Sequence, residues 1–174
     1  MANRDYIKYV EETRRRRGKV IECSVIIERF IDIYIASRFC SRKKKFGLMQ
    51  YVLSTRFVSA ESKRQIFFEL LEKFEPKYFK EHQDVLSKIS KVYTARNLYG
   101  HQLLVADEDS VNRFKNKKVI TLAVLSDKKE VKKLLPVDEF KQICKTADNC
   151  ATVVRELLEK RKYLPLYGND RAID

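Results

Sequence analysis

Apolar residues recur along most of this chain at the three- and four-residue spacing of an amphipathic helix, and strand-like patterning is confined to one stretch. Residues 4 to 13 read as a short leading helix, and Arg14 to Arg17 with Gly18 and Lys19 read as a basic break. From Lys19 to Phe39, Val20, Cys23, Ile27, Phe30, Ile31 and Tyr34 keep helical spacing, while Ile21, Val25, Ile26, Ile33 and Ile35 fill other faces. A helix apolar on so many sides is buried on more than one of them, either at the centre of a bundle or at a subunit interface. Ser41 to Lys45 reads as a basic loop, followed by a short piece around Leu48 to Leu53. Ser59 is placed to cap a helix with Ile66, Phe67, Leu70, Leu71 and Phe74 on one side, which Pro76 closes. Another helix is expected from Tyr78 through Val85, Leu86, Ile89, Val92 and Tyr93 into the residues just beyond.

After position 105 the pattern changes. Lys118 to Leu125 reads as a strand, Ser126 to Lys129 as a polar turn, and Glu130 to Leu135 as a second strand pairing back. Pro136 and Asp138 open a long helix striped by Phe140, Ile143, Cys144, Ala147, Ala151, Val154, Leu157 and Leu158, and the chain becomes irregular from about residue 163. The expected fold class is therefore mainly all-α. It is a single helical-bundle domain over residues 1–174, with a small β-hairpin inserted before the C-terminal helix. Four Gly and three Pro are too few for the many tight turns of a sandwich or barrel, and 44% apolar residues suffice for a core.

Charge adds the first functional expectation. Thirty-seven Lys and Arg against 24 Asp and Glu give a net charge of +13, a field that attracts polyanions. The cations gather in three clusters: Arg14, Arg15, Arg16, Arg17 and Lys19; Arg42, Lys43, Lys44 and Lys45; Arg113, Lys115, Lys117 and Lys118. Each alone reads as a solvated surface run, and together they could hold an RNA backbone with steep salt dependence. No apolar run reaches the ~18 residues of a membrane helix. The first residues carry acidic side chains and lack the apolar core and cleavage site of a secretory signal. The expected setting is cytoplasmic, with Cys23, Cys40, Cys144 and Cys150 reduced. No pair of cysteines has metal-ligand spacing and histidine is too rare to complete a zinc site, so no metal or cofactor is expected.

The stripe Val85, Ile89, Val92 steps next onto Arg96, where an apolar residue is expected. Arg96 either reaches from the helix end to water or marks function, since local rules tend to break where function requires it. The residues that follow are Asn97, Leu98, Tyr99, Gly100 and His101. Asn97 and His101 are four apart and share a helix face, and Arg96 lies roughly 140° around from His101. Gly100 would let the helix bend or end there. A guanidinium, an amide and an imidazole on one turn suit RNA cleavage. The guanidinium grips a phosphate and offsets phosphorane charge, the imidazole moves a proton, and the amide orients ribose or imidazole. With the 2′-OH as nucleophile the reaction needs no metal, and it leaves a 2′,3′-cyclic phosphate and a 5′-OH. One imidazole does not easily serve as acid and base in one step, which a symmetric dimer would resolve.

RNLYGH resembles the Arg-x4–6-His pattern of the HEPN superfamily, in which a polar residue, often Asn, follows the Arg. The element order is also similar: a long apolar helix early, the motif near the end of a later helix, and a closing long helix. The resemblance implies metal-independent endoribonuclease activity, a composite site across a homodimer, and a toxin or defence role beside an antitoxin or other inhibitory partner protein. Arg96 and His101 carry over directly, with Asn97 as the polar neighbour. The alternative is a non-catalytic HEPN-like RNA-binding or regulatory scaffold, including proteins like the mannitol repressor. The hairpin at 118–135 is not assigned to the common HEPN core. His82 reads as a packing or surface histidine rather than a catalytic one. Glu28 and Asp32, four apart in an apolar helix, read as its wet edge or as lining of the motif's cleft.

Overall fold

The computed structural model of the protein describes residues 2–55, 57–126 and 129–164. Seven α-helices and a three-stranded antiparallel sheet make up the described secondary structure, with one π-helical turn. The protein is thus mainly helical with a small sheet, as the periodicity predicts. The chain divides into two compact units, Met1–Ser24 with Lys91–Asp148 and Val25–Ser90 with Asn149–Asp174.

Helix α1 (Ala2–Phe39) contributes to both units and is unbroken, so the basic break expected at residues 14–19 does not exist. Arginine is a good helix former, and Glu12 holds Arg15 and Arg16 at the three- and four-residue spacing that supports a helix. Gly18 costs about 1 kcal/mol relative to alanine, an amount that burial of Tyr9, Val20 and Cys23 on the same helix outweighs.

In the first unit, α5 (Ile89–His101) leads into β1 (Leu103–Leu104), α6 (Glu108–Lys117), β2 (Ile120–Ser126), β3 (Lys129–Leu135) and the start of α7 (Val137–Lys160). The hairpin β2–β3 is where the sequence places it, in the register Ile120 to Leu135 and Val124 to Val131. Its turn at residues 127–128 lies outside the described residues. Two elements were not foreseen. The two-residue β1 pairs Leu103 with Ala123 and Leu104 with Leu122, and α6 forms within the third basic cluster. Asp107 caps α6 through Ser110 N at 2.8 Å, and Lys118 ends it in a left-handed conformation, φ 53°. Tyr9, Val20, Ala95, Tyr99, Phe114, Ile120, Leu122, Leu135 and Phe140 form the core of this unit. Tyr9 ties it together: its hydroxyl donates to Val105 O at 2.8 Å and accepts from Thr121 N at 3.1 Å.

In the second unit, Ser41–Lys45 is not a loop. Helix α2 (Arg42–Leu48) starts there and runs into the π-helical turn Met49–Leu53. Helix α3 (Ala60–Phe74) is capped by Ser59, whose Oγ accepts from Ser62 N at 3.0 Å. Pro76 ends that run and also opens α4 (Pro76–Leu86) as its first residue, where a missing N–H costs nothing. The helix expected from Tyr78 to the motif is two helices, α4 and α5. Between them the Ser87 hydroxyl donates to Asp84 O and the Ser90 hydroxyl to Ser87 O, each at 3.1 Å, and such local bonds compete with helix continuation. The unit buries Ile27, Ile31, Tyr34, Phe67, Leu71, Leu86, Val154 and Leu158. It also buries Lys63, whose ammonium donates to Glu28 at 2.6 Å and to Asp32 at 3.1 Å. Asp32 is therefore no wet edge. It is buried beside a lysine, and burial raises its carboxyl above the usual range despite that partner.

Candidate functional site

Helix α5 buries Ile89, Val92, Tyr93, Ala95 and Tyr99. The apolar stripe continues from Val92 through Ala95 to Tyr99 and leaves Arg96 at its edge, half-buried. Arg96 thus does not occupy a core position, contrary to the sequence reading. Asn97, Gly100 and His101 are exposed. The three polar groups therefore share the solvent-facing side of the last turns of one helix. Arg96 Nη1 donates to Asn97 Oδ1 at 3.4 Å, which joins the guanidinium and the amide, while the imidazole stands at the helix end.

The chain leaving His101 is held from three directions. Gln102 N donates back to Leu98 O at 3.4 Å, β1 pairs with β2 immediately afterwards, and the guanidinium of Arg17 donates to Gln102 O. Arg17 also has its Nε buried without a hydrogen-bond partner, so it is committed to this spot rather than to solvent. Beneath the motif the Tyr99 hydroxyl is buried without a partner, and burial pushes it up to about 12. The motif therefore sits on a packed, apolar support.

The basic clusters differ from their reading as surface runs. Arg14 and Lys19 are exposed, with Lys19 near Glu22 at 3.3 Å. Arg15 is exposed but pairs with Glu12 through two bonds of 2.6 and 2.7 Å. Arg16 is buried, and its side chain serves the fold: Nε donates to Glu12 at 2.9 Å, Nη2 to Lys118 O at 3.0 Å and Nη1 to Leu135 O at 3.4 Å. The two arginines hold the Glu12 carboxyl down at about 2, Arg15 most strongly. The side chain of Arg42 lies outside the described residues. Lys43 and Lys44 are exposed, and Lys45 donates to Tyr163 O at 2.7 Å. In the third cluster Arg113 is half-buried, Lys117 is exposed, Lys115 lies 3.4 Å from Asp5, and the Lys118 ammonium sits 5.0 Å from the Phe114 ring centroid.

The first and third clusters meet at a cleft of about 640 Å³ that Lys8, Glu12, Arg15, Arg16, Phe114 and Lys118 help to line, and the motif residues are not in its wall. Lys8 was not singled out from the sequence because it stands outside any charge run. His82 packs on Tyr78, ring centroids 4.2 Å apart, as expected of a packing histidine. All four cysteines are free thiols, and burial raises Cys150 to about 11. Among the described residues no group of three or more His, Cys, Asp or Glu converges as a metal-ligand set, and no helix is long and apolar enough to cross a membrane. No family model matches the chain, and no curated protein or solved structure matches it.

Proposed function

We propose that this chain is an RNA-directed protein of the HEPN kind and that Arg96, Asn97 and His101 cut RNA. The observation that carries the reading is the shared, solvent-facing placement of these three groups on one helix whose other side is packed core. Charged and polar groups held on a rigid element, and not spent on folding contacts, suit substrate chemistry. The net charge of +13 supports a polyanionic substrate.

In the proposed reaction the imidazole of one His101 accepts the 2′-OH proton as O2′ attacks phosphorus. The Arg96 guanidinium, aligned by Asn97, stabilises the phosphorane charge. The P–O5′ bond breaks, and the leaving oxygen takes a proton from the His101 of a second copy. The products are a 2′,3′-cyclic phosphate and a 5′-OH, and RNA itself supplies the nucleophile. A second copy needs apolar area to cover, and α1 leaves Ile21, Val25 and Ile26 exposed. Such a nuclease acts where RNA is, in the cytoplasm, and needs an inhibitory partner of the antitoxin kind. A non-catalytic RNA-binding scaffold is the second reading. It draws on the motif's own hydrogen bond, which joins Arg96 to Asn97 rather than to His101.

The test is labelled RNA in excess EDTA with wild type, His101→Ala and Arg96→Ala. Wild type should leave cyclic-phosphate ends, and each variant should lose roughly 10²–10⁴-fold in rate while still folding and binding RNA. Equal inertness of all three selects the scaffold, and loss of wild-type cutting in EDTA defeats the mechanism.

A further inference from the structure

We infer that the segment from Phe39 to Tyr51 is a stacking platform for single-stranded RNA. Taking the polymer to be RNA rests on the function proposed above. Three aromatic side chains in this segment are largely open to solvent: Phe39 at 65%, Phe46 at 66% and Tyr51 at 73%. Leaving rings in water forgoes most of the gain from their burial, and a soluble surface normally avoids grouping them. The segment does have an inward face, since Met49 and Leu53 are buried. Phe46 and Tyr51 therefore face out although apolar anchors are already supplied to the core.

The rings are carried on a tied-down scaffold. Lys45 bonds Tyr163 O at 2.7 Å, and the Tyr163 ring packs on Tyr34 at 5.9 Å between centroids. Arg38 reaches the Tyr34 hydroxyl at 3.4 Å and covers the Phe74 ring at 4.4 Å. Phe39 and Phe46 are the chain neighbours of Arg38 and Lys45, the first and last links in that series of contacts.

Charge selects the occupant. Lys43 and Lys44, on the same short segment as the rings, are exposed. The core of a protein-docking patch is depleted in lysine, which argues against a protein surface as the occupant. Exposed rings and exposed ammonium groups on one short segment match a polymer that presents bases and phosphates together. Bases stack only when they are free of a duplex, so the platform selects single strands. Sequence reading noted the lysines and missed the rings, because aromatic residues in a helical chain are normally read as core.

The experiment uses the full chain carrying His101→Ala, so that RNA survives, and fluorescence anisotropy with an unstructured oligonucleotide and a blunt duplex of equal length. The single strand should bind more tightly. Phe46→Ala and Tyr51→Ala should each weaken it about fivefold or more with no change in melting temperature, because the rings are exposed. Lys43→Ala with Lys44→Ala should lower the salt dependence and keep the single-strand preference. Ring variants that bind RNA like the parent overturn the inference. It is equally overturned if they instead lose adhesion to anionic vesicles or lose self-association by light scattering, outcomes that assign the patch to a membrane or to a second copy. A chain that cuts RNA with ring-insensitive binding fails this inference alone, whereas a chain that binds no RNA fails the functional reading too.

Discussion

Arg16 and Arg96 look alike on paper, each a guanidinium on a helix among apolar residues, and the molecule uses them in opposite ways. Arg16 is buried and its fork is filled by a carboxylate and two backbone carbonyls, those of Glu12, Lys118 and Leu135. It supports the fold where α6 ends in a left-handed residue and β3 gives way to α7, places where carbonyls have no helical partner. Arg96 is half-buried and its bond to the adjacent exposed amide is a long one. A cation that the chain has fully consumed cannot also bind substrate, whereas a cation held on a rigid helix with its donors open can. Local charge density thus says little about which arginines are open to a ligand, and the donor-by-donor account says much more.

The largest effect expected from this contrast is on stability at Arg16. Arg16→Ala removes the donors to one buried and one part-buried backbone carbonyl and leaves an acidic neighbour with one partner fewer. Breaking a buried charged network of this kind costs about 3–5 kcal/mol, or roughly 10 °C in melting temperature for a chain of this size. Arg14→Ala, at an exposed site in the same basic run, should stay within about 0.5 kcal/mol. Thermal melts of the two variants side by side check the assignment, and equal melting temperatures would refute the buried role.

The next effect is in the acid limb. Glu12 is held down to about 2 from an ordinary value of 4.5, by Arg15 first and then Arg16. A lowered carboxyl contributes stability above its unfolded value and loses it as pH falls towards the folded one. Solvent screening at this partly exposed pair keeps that contribution on the order of 1 kcal/mol, and it should vanish between about pH 4.5 and pH 2. Asp32 runs the other way: burial raises it above 3.8, so its protonation on acidification favours the folded state just above that value. Urea melts of Glu12→Gln from about pH 6 downwards should show lower stability at neutral pH and a shallower acid decline than wild type. An acid decline in Glu12→Gln as steep as that of wild type would remove this carboxylate from the account.

The elements that were legible in the sequence are those whose signal is local. The strand pair at residues 118–135, the Ser59 cap and the last long helix depend on neighbours a few positions away, and all are present. What stayed hidden depended on distant partners. Nothing near Arg16 announces that Lys118 and Leu135 will offer it carbonyls. Nothing near Leu103 announces pairing with Ala123, and Asp32 meets Lys63 only through tertiary packing. For the motif, the shared face of Asn97 and His101 could be read from a four-residue spacing. The step onto Arg96 was misjudged because the stripe shifts by one residue to Ala95 and Tyr99. That shift moves Arg96 from a core position to the rim of the helix, where a substrate can reach it.

The smallest effect is the one that most sharpens the contrast. Arg96→Ala should leave stability within about 0.5 kcal/mol of wild type. It removes one long hydrogen bond between partly exposed groups, and alanine gains slightly in helix propensity. His101→Ala should behave similarly, because its side chain is exposed at the end of α5. Melting temperatures of both variants near neutral pH should therefore overlay that of wild type while RNA cutting disappears. If Arg96→Ala instead destabilises as Arg16→Ala does, its guanidinium is a folding group, and the proposed site loses the residue meant to hold the phosphate.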